Sequence, residues 1–202
     1  TVVLASGYRN GDMISYDVKE TSFMFDLGAG GAALVLRRDV EENAILGTSF
    51  RGDGSFSEDC VVEVGGAAKW PMQPADAERM HFVVRDVDSF KKKLGERTLP
   101  NFYHVIDDAL RKSGLGREDI DYLAILHFKR STHHLVLEDL GLTEDQTTYL
   151  EHYGHLGQND QVVSLAEGLK AGKIKDGDNI VMVGAGLGFV WASAVVRWGK
   201  SK

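Results

Sequence analysis

The sequence predicts an α/β protein, and three of its features support that prediction. Short apolar segments alternate along the chain with longer segments whose apolar residues recur at helical spacing. The most apolar segments, such as residues 180–183, are short and uninterrupted, which is typical of strands covered on both faces. The 202 residues include 23 glycines but only 3 prolines, which favours regular elements joined by glycine turns.

The N-terminal part of the chain is predicted to be mostly β-structure. Its predicted strands cover residues 1–5, 32–37, 43–50 and 60–64. The first strand is apolar and β-branched, so we expect it to be buried. The glycine turn at residues 28–31 opens a strand rather than a helix, and it is therefore not a dinucleotide-binding fingerprint. Residues 65–78 are predicted to form a loop.

The C-terminal part of the chain is predicted to alternate between helices and strands. Helical spacing predicts helices at residues 86–97, 99–113, 132–140 and 161–170, with a further helix start at 143–146. Gly114 and Gly141 stand where helices commonly end. Strands are predicted at 122–126, 179–183 and 189–198, the last two joined by a glycine hairpin at 184–188.

Composition and charge exclude several classes of protein. With 43% hydrophobic and 26% charged residues, the chain has the composition of an ordinary globular domain. A net charge of −7 provides no excess of cations to neutralise phosphates, so no nucleic-acid partner is expected. No apolar run approaches the roughly 20 residues of a membrane span, and there is no signal-peptide pattern, so no membrane partner is expected. The single cysteine, Cys60, cannot form an internal disulfide, which favours a reducing, cytoplasmic location.

Short motifs, most of them containing glycine, are distributed along the whole chain. They are Phe25 with Gly28-Ala29-Gly30, Gly52-Asp53-Gly54, Gly65-Gly66, Ile120-Asp121 with His127, Tyr153-Gly154, Gly172-Lys173-Ile174-Lys175, Gly184, Gly186, Gly188, Trp191 and Arg197-Trp198. In these residues the chain resembles the C-terminal half of the β-ketoacyl-ACP synthase III group of condensing enzymes, within the thiolase-like superfamily. The resemblance implies a thiolase-like half, with a five-stranded mixed sheet and helices on both faces. Residues 1–202 would then be a C-terminal thiolase-like domain, which agrees with their abrupt start on an apolar strand without a methionine.

His127 directly follows the predicted strand at residues 122–126. A histidine at the C-terminal end of a strand in an α/β sheet projects into the crevice where ligands bind. The resemblance implies that this histidine hydrogen-bonds the substrate thioester oxygen during decarboxylation and condensation. The family usually reads His-Gln-Ala-Asn here, whereas this chain reads His127-Phe128-Lys129-Arg130, so only the histidine is kept. The alternative is a structural histidine bonded to the backbone.

His155 stands where the family normally has the asparagine of a Gly-Asn-Thr-Ser motif, its third catalytic residue. A histidine can also donate a ring N–H toward a developing oxyanion, and unlike asparagine it titrates near neutral pH. The alternative is a polar surface residue in a glycine-flanked turn. The resemblance thus implies a Cys-His-His site whose cysteine lies in the N-terminal half of the family. Cys60, at a predicted strand start in the other half, is not that cysteine.

The glycine hairpin near the C-terminus is implied to help bind the substrate. By its register with Trp191, Leu187 holds the place from which the family donates a backbone N–H to the oxyanion hole. The flanking Gly186 and Gly188 would let a substrate approach the backbone closely, since they carry no Cβ. A plain β-hairpin fits the same residues equally well.

Basic residues near His127 suggest a docking surface. Two basic pairs could meet the phosphates of coenzyme A or an acidic carrier protein. They are Lys129 with Arg130, and Arg37 with Arg38. The alternative is an ordinary solvated face. The family's basic carrier-docking position is Thr132 here, which weakens the carrier-protein interpretation and leaves coenzyme A open. The remaining histidines lack cysteine or carboxylate partners at ligand spacing, so no metal site is predicted.

The implied function is that of an acyltransferase of the 3-oxoacyl-ACP synthase III type. It would catalyse Claisen condensation or acyl transfer between thioesters of coenzyme A or carrier-protein phosphopantetheine, with no permanently bound cofactor. The chain would act only when combined with the N-terminal half or a catalytic subunit that carries the cysteine, in a homo- or hetero-oligomer, and an acyl carrier protein can be a further partner. The alternatives are a non-catalytic partner subunit or isolated domain that completes a condensing enzyme, and a thioester hydrolase.

Overall fold

A computed structural model describes residues 1–66 and 69–199 of the chain. The strands are β1 (Val2–Tyr8), β2 (Gly30–Leu36), β3 (Ala44–Gly52), β4 (Cys60–Val62), β5 (Phe82–Val84), β6 (Tyr122–Ile125), β7 (Asn179–Gly186) and β8 (Val190–Arg197). The α-helices are α1 (Val87–Lys112), α2 (Arg130–Leu140) and α3 (Asp160–Lys170). Short 3₁₀ turns connect several of these elements. The fold is therefore α/β, as the alternation of elements predicts.

The main sheet is mixed and has the strand order β3-β8-β7-β6. Strands β6 and β7 are parallel, with Tyr122 opposite Ile180, whereas β8 runs antiparallel to both of its neighbours. The prediction of a single five-stranded sheet is wrong in its strand count. Among the described residues this sheet has four strands, because β1 pairs with β2 in a separate antiparallel ribbon and β4 pairs with β5 in another.

Helices cover both faces of the main sheet, as predicted. Helices α1 and α2 pack on one face, where the core includes Ile106, Val136, Val183 and Trp191. Helix α3 lies on the other face, where Leu165 joins a second cluster that includes Tyr122, Ala124 and Ile180. Alternate residues of β6 therefore enter opposite clusters, which explains why this strand is apolar throughout and fully buried.

Helix α1 is one continuous helix of 26 residues, not the two predicted helices at 86–97 and 99–113. The helix contains Pro100, although a proline removes one helical hydrogen bond and crowds the preceding turn. The helix continues through Pro100 since residues on both sides of it, such as Phe90 and Phe102, are buried in the same core cluster. Asp86 caps its first turn by accepting a hydrogen bond of 3.0 Å from the backbone N–H of Ser89.

The first predicted strand is correct in type but wrong in burial. Val2, Val3 and Leu4 are 56%, 62% and 51% exposed, and Val35 on the paired strand is 63% exposed. The β1-β2 ribbon is separate from the main sheet, and no other described element covers these side chains. Apolar sequence alone therefore indicated a strand but not whether the described chain covers it.

Two boundaries near the candidate site also differ from the predictions. Strand β7 extends to Gly186, so Gly184 lies within the strand and the turn of the hairpin is formed by residues 187–189. The predicted helix start at residues 143–146 is a single 3₁₀ turn, in which the Gln146 side chain accepts a 3.1 Å hydrogen bond from the backbone N–H of Thr143. The local capping signal is real, but no helix follows it.

Candidate active site

His127 lies just beyond the C-terminal end of β6, at the edge of the main sheet. The backbone N–H of Leu126 still donates to the carbonyl of Val183 on the parallel strand β7, at 3.0 Å. The next N–H, that of His127, turns away and donates to Asp160 Oδ2 at 2.7 Å. Its side chain is only 7% exposed. This is the position beyond strand carboxyl ends where α/β proteins bind ligands.

The imidazole of His127 is held mainly by packing. Its Nε2 atom lies 3.5 Å from Asp26 Oδ2, and its ring centroid lies 4.8 Å from that of Tyr149. Its Nδ1 atom is buried and has no hydrogen-bond partner among the described residues. Burial lowers the pKa of His127 below 6.5, although Asp26 and Asp160 oppose this shift. At neutral pH the ring is therefore uncharged and carries a single N–H.

The loop that carries His155 packs directly against residues 26–28 and is hydrogen-bonded to their backbone. The backbone N–H of His155 donates to the carbonyl of Asp26 at 2.9 Å, and the N–H of Gly28 donates to the carbonyl of His155 at 2.9 Å. Gly154 has φ +67°, and a Cβ at this position would overlap the carbonyl oxygen of Asp26. Gly157 has φ +61°, and a Cβ there would overlap the ring of Tyr8. The two glycines are therefore required for the close approach that places His155.

Asp160, the first residue of α3, connects the two predicted histidines. Its Oδ2 atom accepts the backbone N–H of His127 at 2.7 Å and lies 2.5 Å from His155 Nδ1, while Oδ1 accepts the N–H of Leu156 at 2.6 Å. The carboxyl group is fully buried. A carboxylate at a helix N-terminus is also stabilised by the helix dipole. The structure thus brings together His127 and His155, which are 28 positions apart in sequence, through one side chain.

Asp160 was not among the site residues predicted from the sequence. An aspartate at a helix start is commonly a capping residue, and its chemical importance depends on where the chain folds back. The available signal was its position five residues after His155 in a loop too short to place the two far apart.

The contact with Asp160 determines what His155 can do. With the Nδ1 proton directed at the carboxylate, the neutral ring presents the lone pair of Nε2 outward and can act as a base. If the ring is protonated, Nε2–H becomes a donor for an oxyanion. The His155 side chain is 20% exposed, so a reactant can approach it.

The hairpin turn after β7 lies at the same sheet edge as His127, because β6 and β7 are parallel. Two hydrogen bonds of 2.8 Å between the backbones of Asp53 and Phe189 anchor this turn. Leu187 is 45% exposed, as expected for a backbone donor open to a ligand. No hydrogen bond joins Leu187 to either histidine in the described part of the chain, and its place in an oxyanion hole, with Gly186 and Gly188, stays a prediction.

The predicted basic docking residues do not form one group. Lys129 is exposed at the N-terminus of α2, beside Arg130. Arg130 lies 2.7 Å from Glu151 Oε2 and its guanidinium is 4.2 Å from the ring centroid of Tyr149. Arg37 and Arg38 follow β2, whose other end, Gly30, contacts the His155 loop. A seven-residue strand is about 20 Å long, so these two arginines are remote from the histidines.

The single cysteine is a structural residue. Cys60 lies in β4 and packs against the main core. Burial, with a smaller contribution from Asp59, raises the pKa of its thiol to about 11. At neutral pH it is therefore protonated and a poor nucleophile.

The other histidines lie outside the candidate site. His133 is buried, and burial lowers its pKa to about 4, while His134 Nε2 lies 3.0 Å from Glu144 Oε1. Within residues 1–66 and 69–199, no group of three or more His, Cys, Asp or Glu side chains is arranged to hold a metal ion. The same residues include no helix that is long and apolar enough to span a membrane.

Comparisons with known proteins agree with the fold and the resemblance. A family model described as 3-oxoacyl-[acyl-carrier-protein] synthase III C terminal matches residues 110–198. The β-ketoacyl-[acyl-carrier-protein] synthase III of Clostridioides difficile is 31% identical over 194 residues, covering 92% of this chain and 55% of the relative. That of Chlorobaculum tepidum is 25% identical over 199 residues, covering 98% and 59%. The chain thus spans little more than half the length of these relatives.

Solved structures give the same result at the level of fold. The β-ketoacyl-[acyl carrier protein] synthase III of Thermus thermophilus superimposes with a TM-score of 0.79 at 22% identity, covering 99% of this chain and 60% of that one. OleA of Xanthomonas campestris, solved with bound lauric acid and lauroyl-CoA, gives a TM-score of 0.69 at 19% identity, covering 97% and 57%.

These findings define the chain as a thiolase-fold domain of α/β class. More closely, it is a C-terminal domain of the β-ketoacyl-ACP synthase III-like condensing enzymes.

Proposed function

We propose that this chain supplies two histidines to an acyltransferase of the 3-oxoacyl-ACP synthase III type. The enzyme would catalyse Claisen condensation or acyl transfer between thioesters of coenzyme A or carrier-protein phosphopantetheine, with no resident cofactor. The observation that carries this proposal is the contact of one buried carboxylate, Asp160, with both His127 and His155. The matching relatives are named as synthases of this type, which supports the same reaction class.

In this proposal the two histidines have different tasks. His127, kept neutral by burial, donates its one N–H to the carbonyl oxygen of the nucleophilic thioester. His155, oriented by Asp160, either donates from Nε2 to the same developing oxyanion or accepts a proton there. A backbone N–H at Leu187 would complete an oxyanion hole for the acyl group. Loss of carbon dioxide or of an α-proton from the nucleophilic thioester would supply the electron pair of the new carbon–carbon bond. As that bond forms, the acyl–sulfur bond breaks and the thiolate leaves on the nucleophilic cysteine.

The nucleophilic cysteine would come from outside residues 1–202. Cys60 does not fit the role because it is partly buried in β4 and its thiol pKa is raised to about 11. We therefore propose that the chain works with the N-terminal half of the same enzyme or with a catalytic subunit, in a cytoplasmic homo- or hetero-oligomer. Residues 1–202 would be the C-terminal domain of that assembly, and an acyl carrier protein is a candidate substrate partner.

The test is acyl transfer by the assembled protein, measured as thiol release and as product mass. His127→Ala and His155→Ala are each expected to lower the rate by about 10²-fold, the usual loss when an acid–base or oxyanion group is removed. His152→Ala is the matched control, since His152 is exposed and close to His155 in sequence. If both site variants keep full activity, the chain is a non-catalytic partner and the proposal is wrong.

A thioester hydrolase is the second candidate, and one observation favours it. The Asp160–His155 pair resembles the carboxylate–histidine arrangement that activates nucleophiles in hydrolases. The products distinguish the two functions, because a hydrolase releases a free acid while a condensing enzyme releases a longer ketoacyl thioester.

A further inference from the structure

Arg130, Tyr149 and His127 contact one another in that order at the end of β6, and we name this row of three side chains the stack. The guanidinium of Arg130 lies 4.2 Å from the centroid of the Tyr149 ring, and that ring lies 4.8 Å from the ring of His127. His133 also contacts the Tyr149 ring, in an edge arrangement at 5.2 Å. Cation–π and aromatic contacts of this kind favour particular relative orientations of the groups that they join.

Two members of this stack, Tyr149 and Arg130, are anchored by hydrogen bonds within the chain. The Tyr149 hydroxyl donates to the carbonyl of Phe128, the residue after His127, at 3.0 Å. The Arg130 guanidinium donates to Glu151 Oε2 at 2.7 Å. Arginine can stack and hydrogen-bond at once because its guanidinium is planar and its donors lie in that plane. Both interactions of Arg130 are thus made within the chain.

The side chain of His127 depends on this packing for its orientation. Its Nδ1 atom has no hydrogen-bond partner within the described ranges, and its Nε2 atom makes only a 3.5 Å approach to Asp26. Asp160 holds the backbone of His127 but not its ring. The tilted contact with Tyr149, at an interplanar angle of 39°, is therefore the main packing restraint on the plane of the imidazole.

We infer that Arg130 and Tyr149 are positioning residues that hold the imidazole of His127, and that Arg130 is not a docking residue for coenzyme A or a carrier protein. This inference rests on the proposed function only for its kinetic consequence. The geometric part, that the stack holds His127, can be tested without any acyl-transfer activity.

The first experiment follows the ring of His127 by nuclear magnetic resonance during a pH titration of the chain. The charged or titratable groups around this ring are Asp26, Arg130, His133, Tyr149, His155 and Asp160. Tyr149→Leu opens the ring to water and is expected to raise the midpoint for His127 toward 6.5, because burial is the main cause of its lowered pKa. Tyr149→Phe keeps the ring and is expected to leave the midpoint close to that of the parent.

Arg130→Met tests the cation while keeping a long apolar side chain over Tyr149. It is expected to shift the His127 resonances and raise the midpoint less than Tyr149→Leu does. In the Tyr149→Leu background the same change is expected to have a smaller effect, because only the direct charge effect of Arg130 on His127 remains once the ring is gone. His127 midpoints and resonances unchanged in both Tyr149→Leu and Arg130→Met would overturn the inference, provided that the remaining amide spectrum shows a folded chain.

The second experiment separates positioning from docking in the assembled enzyme. Arg130→Met is expected to lower kcat about tenfold with KM for the thioester within twofold, since a misplaced His127 affects the reacting atoms. Lys129→Met is the matched control on the neighbouring exposed cation, for which any effect is expected in KM alone. A rise in KM for Arg130→Met with unchanged kcat would identify Arg130 as a docking residue and overturn the inference. A complete lack of acyl transfer in the parent would instead contradict the proposed function, while the spectroscopic outcome still decides whether the stack holds His127.

Discussion

The two candidate histidines are held in opposite ways. His127 is fixed at a strand end among aromatic rings, is 7% exposed, and has a ring nitrogen without a partner among the described residues. His155 is held in a glycine-flanked loop by a carboxylate on its Nδ1 atom, and it is 20% exposed. Burial lowers the pKa of His127 and keeps its imidazole neutral at neutral pH, whereas the Asp160 carboxylate fixes the orientation of the His155 ring. The difference indicates that one site can combine a ring held by packing with a ring held by a hydrogen bond.

The sharpest way to break this comparison is to remove the charge that Asp160 supplies. Asp160→Asn keeps the size of the side chain, but the amide cannot accept all three N–H groups that the carboxylate accepts. We expect acyl transfer by the assembled protein to fall by about 10²-fold or more, since a histidine that loses its orienting carboxylate adopts the wrong tautomer. Rates are compared with those of Asp145→Asn, which removes an equal charge from an exposed position. Equal rates for the two variants would mean that Asp160 has only a structural role.

A second change makes His155 more like the family residue. His155→Asn keeps an N–H donor but removes the imidazole and its second ring nitrogen. We expect activity within about tenfold of the parent, because an amide can still stabilise an oxyanion. A loss of about 10²-fold or more would show that the reaction needs the imidazole itself, as a base at Nε2.

Protonation of His133 offers a test on stability instead of activity. Its pKa is lowered from 6.5 to about 4 by burial, so between these values the unfolded chain binds a proton that the folded chain does not. The folded state is therefore unaffected above pH 6.5 and loses stability as the pH falls toward 4. The shift corresponds to roughly 3 kcal/mol at full effect. Denaturant unfolding of the parent and of His133→Leu at pH 7 and pH 4.5 measures it, and a similar loss in both proteins would contradict this assignment.

The smallest expected effect concerns the packing of the loop that carries His155. Gly154→Ala places a methyl group both at φ +67° and against the carbonyl of Asp26. Gly114→Ala is the matched control, because Gly114 has φ +73° but nothing within 4 Å of its hypothetical Cβ. We expect the control to lose about 1 kcal/mol from conformation alone, and Gly154→Ala to lose about 1–3 kcal/mol more from overlap. Equal unfolding midpoints would show that the loop shifts without strain.

Sequence was sufficient to predict the two histidines as candidates, because each stands beside a recognisable local signal. His127 follows an apolar strand, and glycines flank the segment of His155 and Leu156. Sequence was insufficient for Asp160 and Tyr149, whose roles arise from contacts across the fold. It also predicted two helices at 86–97 and 99–113, where burial along the whole length keeps α1 continuous, and burial of β1, which no described element covers.

The shared carboxylate has a consequence for how such a site changes over evolutionary time. A histidine at position 155 without an acid at 160 would lose its orientation, and a buried acid at 160 without a donor at 155 would lose its closest partner, at a cost of several kcal/mol. Each substitution is therefore unfavourable alone. Among related sequences, a histidine at position 155 is expected to occur together with an acid at position 160. In lineages that keep asparagine at position 155, the residue at position 160 is expected to vary freely.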